Sequence, residues 1–574
     1  MLQVLNSLLR EDVAGLRSRT TTVSGPDGSW LRLATTDQGA LLLPVQHSAP
    51  GYQSRTEARL PLLRREDDGR ELTRADDILA ALAAHADPRD RAGFTAFATE
   101  VRQAERAKRL HMASRQEITA ALVTRYGPRP ATQWRGPTAA LAFDTLAARL
   151  DHPVYPTGRG RAHLTETDLR RYAPEFHPRF PLRWLALPRE AITTHGTLPE
   201  IFPAPSAVGL PEANDRTHIC LPLHPLTVGE QLREALRSMG VEGRAALAPL
   251  ARLEAVPTLS MRTVALTATP GIHLKLPLAT ATLGRLNRRT IKPGTLIDGV
   301  AGQRLLESVI AREPRFSHTI LHTDETQFAH AGHELLAVLV RRLPARLDDT
   351  AVVPLAALLA PAPDGGLVIG DLADHFYRGD TLALLDALLT LLFDWQTTLI
   401  GYGIALESHQ QNVSLLLDAP HGRTRLRLLF KDNDGPRIHT ARLRAALGQD
   451  GPDFDDPRIH TDSDTPILDL FTTITVHLCA GAYAFGLARH GHAPLDRLLT
   501  LVRDRLGEAA DRLGTGPGQP GALLRTHVLD AAQLPIKAMV TAGTLLAKER
   551  SGATDINKHY GTGPNYLAPR SVRP

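Results

Sequence analysis

Cysteine is nearly absent from these 574 residues: there are two, Cys220 and Cys479. Two distant thiols build neither a disulfide framework nor a four-cysteine zinc site, and a reducing compartment suits them. Neither sign of charge dominates. Lys+Arg number 66 against 61 Asp+Glu, a net +5, and no long basic run stands out. Nucleic-acid binding is therefore not expected as a main role, while a local basic pocket for an anionic substrate is compatible with the balance. Long apolar runs are also missing. The most apolar, Leu382 to Phe393, is interrupted by Asp386 and falls short of a bilayer span, so it predicts a buried helix. The opening MLQVLNSLLREDVAG carries acids early and lacks an apolar stretch of signal-peptide length, so a cytoplasmic chain with no membrane role is expected. Several catalytic signatures are absent too. HAGHE (330–334) is not H-E-x-x-H, and DNDG (432–435) lacks the later ligands of a calcium loop. Neither a P-loop nor a G-x-S-x-G elbow occurs. Lysine is scarce, appearing only at Lys108, Lys275, Lys292, Lys431, Lys537, Lys548 and Lys558. Where it does appear, a compact point charge is wanted that the planar guanidinium does not replace.

The length exceeds what one hydrophobic core holds, so two or three packed substructures are expected. Residues 1–75 read as an opening helix and short strands, with WLRLATT and ALLLPV as strands. Residues 76–125 read as helices, PRPATQWRGP (128–137) as a linker, and ALAFDTLAARL as another helix. RWLALPRE and HICLPLHP read as strands, and residues 256–300 as β-rich. Residues 302–345 return to helix and strand, 380–402 form an apolar helix, and the chain from about 465 is mostly helical.

The most informative stretch is GIALESHQQNVSLLLDAPHGRTRLRLLFKDNDGPRIH (403–439). An apolar helix ends in Glu407, His409, Gln411 and Asn412, and VSLLLD and TRLRLLFKD then pair around a turn. A hairpin brings the residue before its first strand close to the residue after its second, which places Asn412 beside Lys431–Asp432. An amide and a carboxylate delivered together suit Mg²⁺ on nucleotide phosphates, because that ion takes hard oxygens and keeps several waters. A second constellation, PTLSMRTVALTATPGIHLKLPLATATLGRLNRRTIKPG (257–294), offers Ser260, Arg262 and Thr263. It also puts Lys275 and His273 on one strand face, followed by Arg288, Arg289 and Thr290. Hydroxyls and cations on neighbouring strands clamp a polyphosphate or a carboxylate, although a solvated basic sheet face fits the same residues. A third, DHPVYPTGRGR (151–161), sets His152, Tyr155, Arg159 and Arg161 on a Pro/Gly loop, where an ordinary surface loop is the commoner reading. His224 in LPLHPL reads as a core histidine.

Together these segments resemble the NRPS-independent siderophore synthetases of the IucA/IucC (aerobactin synthetase) type. The family's ordered blocks correspond to His152–Arg161, Leu221–Leu226, Pro257–Thr263, His273–Pro277, Arg289–Pro293, Gly403–Asn412 and Lys431–Asp432. YAPEF (172–176) and RWLALP (183–188) also fit, and the likeness covers roughly residues 150–440. The resemblance implies an α+β, hand-like fold. Its thumb would be 1–137, its fingers 138–370 and its palm 371–574, the palm holding the nucleotide hairpin and a largely helical C-terminal part. It implies a homodimer. It also implies ATP-dependent adenylation of a carboxylate, then attack by an amine, hydroxylamine or alcohol to give an amide or ester. Ser260, Arg262, Thr263, Lys275, His409, Gln411, Asn412 and Lys431 would then bind ATP, with Arg262, Lys275, His409 and Arg289 carrying the catalysis. Glu407, Asn412 and Asp432 would hold Mg²⁺. His152, Tyr155, Arg159, Arg161, Arg288, Arg289, Thr290 and Lys537 would face the substrates.

The sequence departs from the family's pattern on the acid side. Tyr155 stands where the first block has its second His, Arg159 where it has Lys, and Leu226 where a Trp is usual. The stretch from Lys275 to Arg289 is about two residues longer than usual, so Arg288 competes with Arg289. The acid is therefore not fixed as citrate. Two other readings stand beside this one, a small-molecule phosphotransferase using the same Asn/Asp site and a non-catalytic descendant. The first wants a catalytic Asp just before Asn412, where His409–Gln410–Gln411 stands instead. The second is disfavoured by the intact Glu407, Asn412 and Asp432.

Overall fold

Leu2–Arg10 is an amphipathic helix that buries Leu5, Leu8 and Leu9 completely, and short antiparallel strands follow it in a six-stranded sheet. The computed structural model describes residues 1–25, 27–34, 39–547, 550 and 559–569. Helices Ala75–His85, Arg91–Ala113 and Arg115–Tyr126 come next, as the pattern predicts. The stretch at 128–137 is not a linker. It contains the short helix Pro130–Gln133, and Trp134 is fully buried against Phe143 and Tyr126. One buried indole overrides the local Pro/Gly composition, since burying a large apolar side chain stabilises by about 2–3 kcal/mol.

The middle of the chain builds a nine-stranded mixed-length sheet with its own core. Arg252–Pro257, Thr263–Leu266 and Ile272–Lys275 form an antiparallel meander, and Ala337–Arg342 is the next neighbour. Their alternation puts Val264, Leu266, Leu274, Val338 and Val340 into a core shared with Leu232 and Leu236 of helix Glu230–Ser238. The expected β-rich stretch ends early. Strand pairing stops at Lys275, residues 276–292 are largely irregular, and Pro293 opens helix Pro293–Arg312. Proline suits that first turn because its missing N–H would have had no helical partner.

The hairpin forms in the expected register. Val413–Asp418 pairs with Arg425–Phe430, with Val413 opposite Phe430. Ile320–His322 lies parallel beside Arg425–Phe430, and two residues later the chain enters the large sheet as Asp324–His330. This crossing sets the hairpin's open end against the large sheet. Thr381–Gly401 and Thr465–Arg489 are long and apolar enough to cross a membrane, but 67% and 89% of their apolar windows are buried inside the protein. They are core helices, as expected for the first. The C-terminal part is mostly helical, with two departures. Gln533–Lys537 is a strand paired with Tyr560–Pro564, and Thr472–Gly481 and Thr541–Leu545 are wide π-helical turns. One continuous core joins Leu5, Phe97, Phe143, Leu389 and Leu506.

Candidate active site

A cavity of about 690 Å³ opens where the large sheet, the hairpin and the C-terminal π-helical turns meet. That volume suits a cofactor-sized ligand. From the sequence-derived set, His152, Arg159, Arg161, Ser260, Arg262, Lys275, Arg288, Arg289, Thr290, Glu407, His409, Gln411 and Lys537 line it. Tyr155, Thr263, Asn412, Lys431 and Asp432 lie behind the wall.

One end of the cavity gathers guanidiniums. Met261 adopts a left-handed conformation (φ +65), and the Met261 N–H donates to Thr258 O at 2.8 Å. This tight turn presents Ser260 and Arg262 on the same wall. Arg262 Nη1 donates to Thr290 O at 2.7 Å, while its Nε is buried with no hydrogen-bond partner among the described residues. Arg289 Nη2 donates to Ser260 Oγ at 3.4 Å. Neither guanidinium forms an ion pair with a carboxylate among the described residues. Burial presses the pKa of both downward; for Arg289 the neighbouring Arg262 and Arg161 add to it, while for Arg262 Asp432 and Asp434 oppose it. Arg161 is tied to Glu175 at 3.3 Å and to Gly158 O at 2.8 Å. Such a crowd of forked donors is a receptor for phosphate or carboxylate oxygens.

The other end is charge-balanced. Lys275 Nζ donates to Asp432 Oδ1 at 2.6 Å and reaches Asp434 at 3.4 Å. Arg341 pairs with Asp432 at 2.8 Å and with Glu325 at 2.5 Å. The Asp432 N–H donates to Glu325 Oε1 at 3.1 Å, and Asp432 itself is left-handed at φ +58. Burial alone would raise the Asp432 pKa, yet Arg341 and Lys275 hold it well below the usual carboxylate range. The hairpin juxtaposition holds as well: the Lys431 N–H donates to Asn412 O at 3.0 Å. The Asn412 side chain is turned inward, with Nδ2 donating to Glu407 O at 3.1 Å.

Two histidines stand between these ends. His152 Nδ1 accepts the backbone N–H groups of Val154 (3.2 Å) and Tyr155 (3.0 Å), and His409 Nδ1 accepts that of Gln411 (3.3 Å). Each ring therefore carries its proton on Nε2 when neutral. Burial lowers their pKa values to about 3 and about 4, so both are neutral donors near pH 7. Arg159 is held by Asp151 at 2.7 Å, and Arg288 by Glu334 at 2.9 Å, where Thr290 Oγ1 also donates at 3.0 Å. Lys537 reaches the cavity from its strand. Thr263 is buried in its strand, and Lys431 is turned toward Asp144, which opposes the lowering of its pKa by burial. His224 is a core residue, stacked edge-on with Tyr172 and Phe180. Sequence reasoning missed Glu325, Arg341 and Asp434. An Arg inside the apolar strand AVLVRR was the available signal, since a buried cation requires a partner.

Comparison with known proteins places this chain beside others. The model of the IucA / IucC family matches residues 140–360, which include every lining residue from His152 to Leu339. Residues 140–360 thus match the IucA/IucC family, and the chain is similar along most of its length to a siderophore biosynthesis protein. It is 25% identical over 549 residues to the rhizobactin siderophore biosynthesis protein RhbC of Rhizobium meliloti, covering 89% of this chain and 86% of that protein. It is 24% identical over 329 residues to staphyloferrin B synthase of Staphylococcus aureus, and there it spans 55% of the relative's length. Its fold superimposes on ATP-bound aerobactin synthetase IucA of Klebsiella pneumoniae with a TM-score of 0.69, at 19% identity and 99% coverage of both chains. Petrobactin biosynthesis protein AsbB of Bacillus anthracis gives a TM-score of 0.76 at 15% identity, covering 99% of this chain and 95% of that one. A second model, described as ferric iron reductase FhuF-like transporter, matches residues 382–552. In this chain that segment holds one cysteine, Cys479, whose buried thiol donates a hydrogen bond to Ser408 O, so it has no thiolate set for a four-cysteine iron–sulfur cluster.

Proposed function

We propose that this chain is an ATP-dependent synthetase that adenylates a carboxylate, of polycarboxylic type, and passes the acyl group to an amine, hydroxylamine or alcohol. The products are an amide or ester, AMP and pyrophosphate, within siderophore or related metabolite assembly. The observation that carries this reading is the pair Arg262 and Arg289, which face the cavity without carboxylate partners among the described residues. A carboxylate and a triphosphate repel each other, and fixed cations offset charge developing at the α-phosphate. The match of residues 140–360 to the IucA/IucC family model and the fold shared with an ATP-bound synthetase support it.

In this reading Ser260, Arg262 and Lys275 hold the phosphates, with His409 and Gln411 completing the nucleotide side. Arg161, Arg289, His152 and Lys537 orient the acid. His152 donates a hydrogen bond from Nε2–H and does not act as a base. Mg²⁺ needs only one or two carboxylates beside phosphate oxygens and water; Glu407 at the cavity wall would offer one, Asp432 and Asn412 stand behind it, with Asp432 shared with Lys275 and Arg341, and the ion would neutralise phosphate charge. We carry the hand-like thumb, fingers and palm, the cytoplasmic setting and the homodimer as parts of the same proposal.

The test is a pyrophosphate-release screen with hydroxylamine trapping over citrate, 2-oxoglutarate and succinyl hydroxamates. Acid-dependent pyrophosphate is expected, and Arg262→Ala is expected to lower kcat by about 100-fold or more while the protein stays folded. ADP as the product would point to a phosphotransferase instead. Near-normal turnover in Arg262→Ala would sink the site assignment.

A further inference from the structure

Glu100 lies outside the cavity, on the long helix Arg91–Ala113. Its carboxylate is nevertheless the meeting point of three separate segments. Tyr155 Oη donates to Oε2 at 3.1 Å and Thr157 Oγ1 at 3.2 Å, both from the loop that carries His152, Arg159 and Arg161. Thr544 Oγ1 donates to Oε1 at 2.6 Å, from the π-helical turn that follows Lys537 and Met539. The Arg285 backbone N–H, from the irregular stretch that carries Arg288 and Arg289, donates to the same Thr544 Oγ1 at 3.4 Å and also opposes the rise of the Glu100 pKa. These segments wall the cavity on the side of His152, Arg289 and Lys537. They also touch one another: the Leu286 N–H donates to Gly543 O at 3.3 Å, and a Cβ on Gly284 would sit 2.7 Å from that oxygen. Helix Arg91–Ala113 approaches the same turn so closely that a Cβ on Gly93 would lie 2.0 Å from Leu545 O.

An ionised carboxylate accepts from all these hydroxyls at once, on both of its oxygens. Burial raises the Glu100 pKa, and the hydroxyls of Thr544, Tyr155 and Thr157 oppose that rise. Tyr155 thereby acquires a role that its place in the loop did not reveal, since its ring is buried and its hydroxyl is spent on Glu100. We propose that Glu100 is a positioning residue that fixes the acid-binding side of the cavity by clamping residues 155–157, 285 and 544 to one helix. It contacts no substrate and acts through these segments. The nucleotide side, built on residues 407–412 and 432, does not hang from it.

The inference rests on the synthetase reading for its kinetic arm only, so the test has two arms on the full chain. Hydrogen exchange is measured on the protein without ligand for Glu100→Ala, with Thr544→Val and Tyr155→Phe as milder variants should the first fail to fold. Exchange is expected to rise about tenfold or more in 153–161, 282–290 and 539–545 together, while 404–412 stays within about twofold. Unchanged exchange in those segments, or an equal rise in 404–412, would overturn the clamp whatever the enzyme does. In the kinetic arm, the acid giving the fastest wild-type pyrophosphate release is used, and Glu100→Ala is expected to raise its KM about tenfold with the ATP KM within about twofold. Equal rises in both KM values would overturn the positioning role. A wild type that releases no pyrophosphate with any acid overturns the synthetase reading and leaves the exchange result to decide Glu100.

Discussion

The two ends of the cavity handle charge in opposite ways. Around Asp432, two buried cations and two carboxylates satisfy one another without any ligand: Lys275, Arg341 and Glu325 are all nearly inaccessible. Around Ser260, Arg262, Arg289 and Arg161 crowd together, and only Arg161 has a carboxylate partner among the described residues. The first arrangement is balanced before any ligand binds, and the roles proposed for Lys275 and Asp432 would start from that balance. The second is left in electrostatic debt until an anion arrives. A buried ion pair stabilises little over an apolar pair but is costly to break, whereas an uncompensated cation destabilises from the start. Structural and ligand-directed charge in one pocket can therefore be separated by what happens when each charge is removed.

The largest effect on stability is expected from Asp432→Asn. It strands Lys275 and Arg341 without their shared counter-charge, and a broken buried pair costs about 3–5 kcal/mol. Urea unfolding of the two proteins measures it. A loss below about 1 kcal/mol would mean that the pair is not the structural half of the cavity.

Acid is expected to act next, at the two histidines between the ends before the cluster around Asp432. His152 and His409 have folded pKa values near 3 and 4, below the 6.5 of an unfolded histidine. Above pH 6.5 both states are neutral and neither ring affects stability. Below it the unfolded chain takes up protons that the native rings refuse, so stability falls with pH by up to about 1.4 kcal/mol per unit per ring until pH 4 to 3 is reached. Asp432, held low by Arg341 and Lys275, keeps its contribution until the pH drops under the unfolded carboxylate value. Hydrogen exchange at pH 5 should therefore rise in 151–161 and 403–412 before 323–326 and 338–342. The reverse order would contradict the division of labour.

Much of this was legible in the residues. The hairpin register followed from two apolar runs around a turn, and the buried helix at 381–401 from an apolar stretch too short for a membrane. Ser260, Arg262, Lys275 and His409, singled out from residue type and from the family resemblance, do line one cavity. What could not be read depended on contacts distant in sequence. Glu325 and Arg341 join Asp432 only because the chain crosses between two sheets at Thr323, more than ninety residues from the hairpin's end. Tyr155 reads as a substrate contact from its loop, yet a carboxylate 55 residues upstream turns its hydroxyl away. The linker reading at 128–137 failed for the same reason: local composition says nothing of Trp134's partners.

The smallest effect, and the sharpest for the comparison, is expected from Arg289→Met. Methionine keeps much of the apolar stem and fills an irregular gap, so packing is largely conserved. What disappears is one cation from a crowd in which burial and the Arg262 and Arg161 charges already work against it. Stability is expected to rise by about 1 kcal/mol, the reverse of Asp432→Asn, because replacing a poorly compensated buried charge by an apolar group is neutral or stabilising. Pyrophosphate supplies the second reading. At about a hundred times its Kd it stabilises a native protein by about 2.7 kcal/mol, and that increment should shrink in Arg289→Met while surviving in a charge-conserving Arg289→Lys. A variant that loses stability and keeps the full pyrophosphate shift would show that Arg289 belongs with the structural charges, and that the cavity's two ends differ less than their ion pairs indicate.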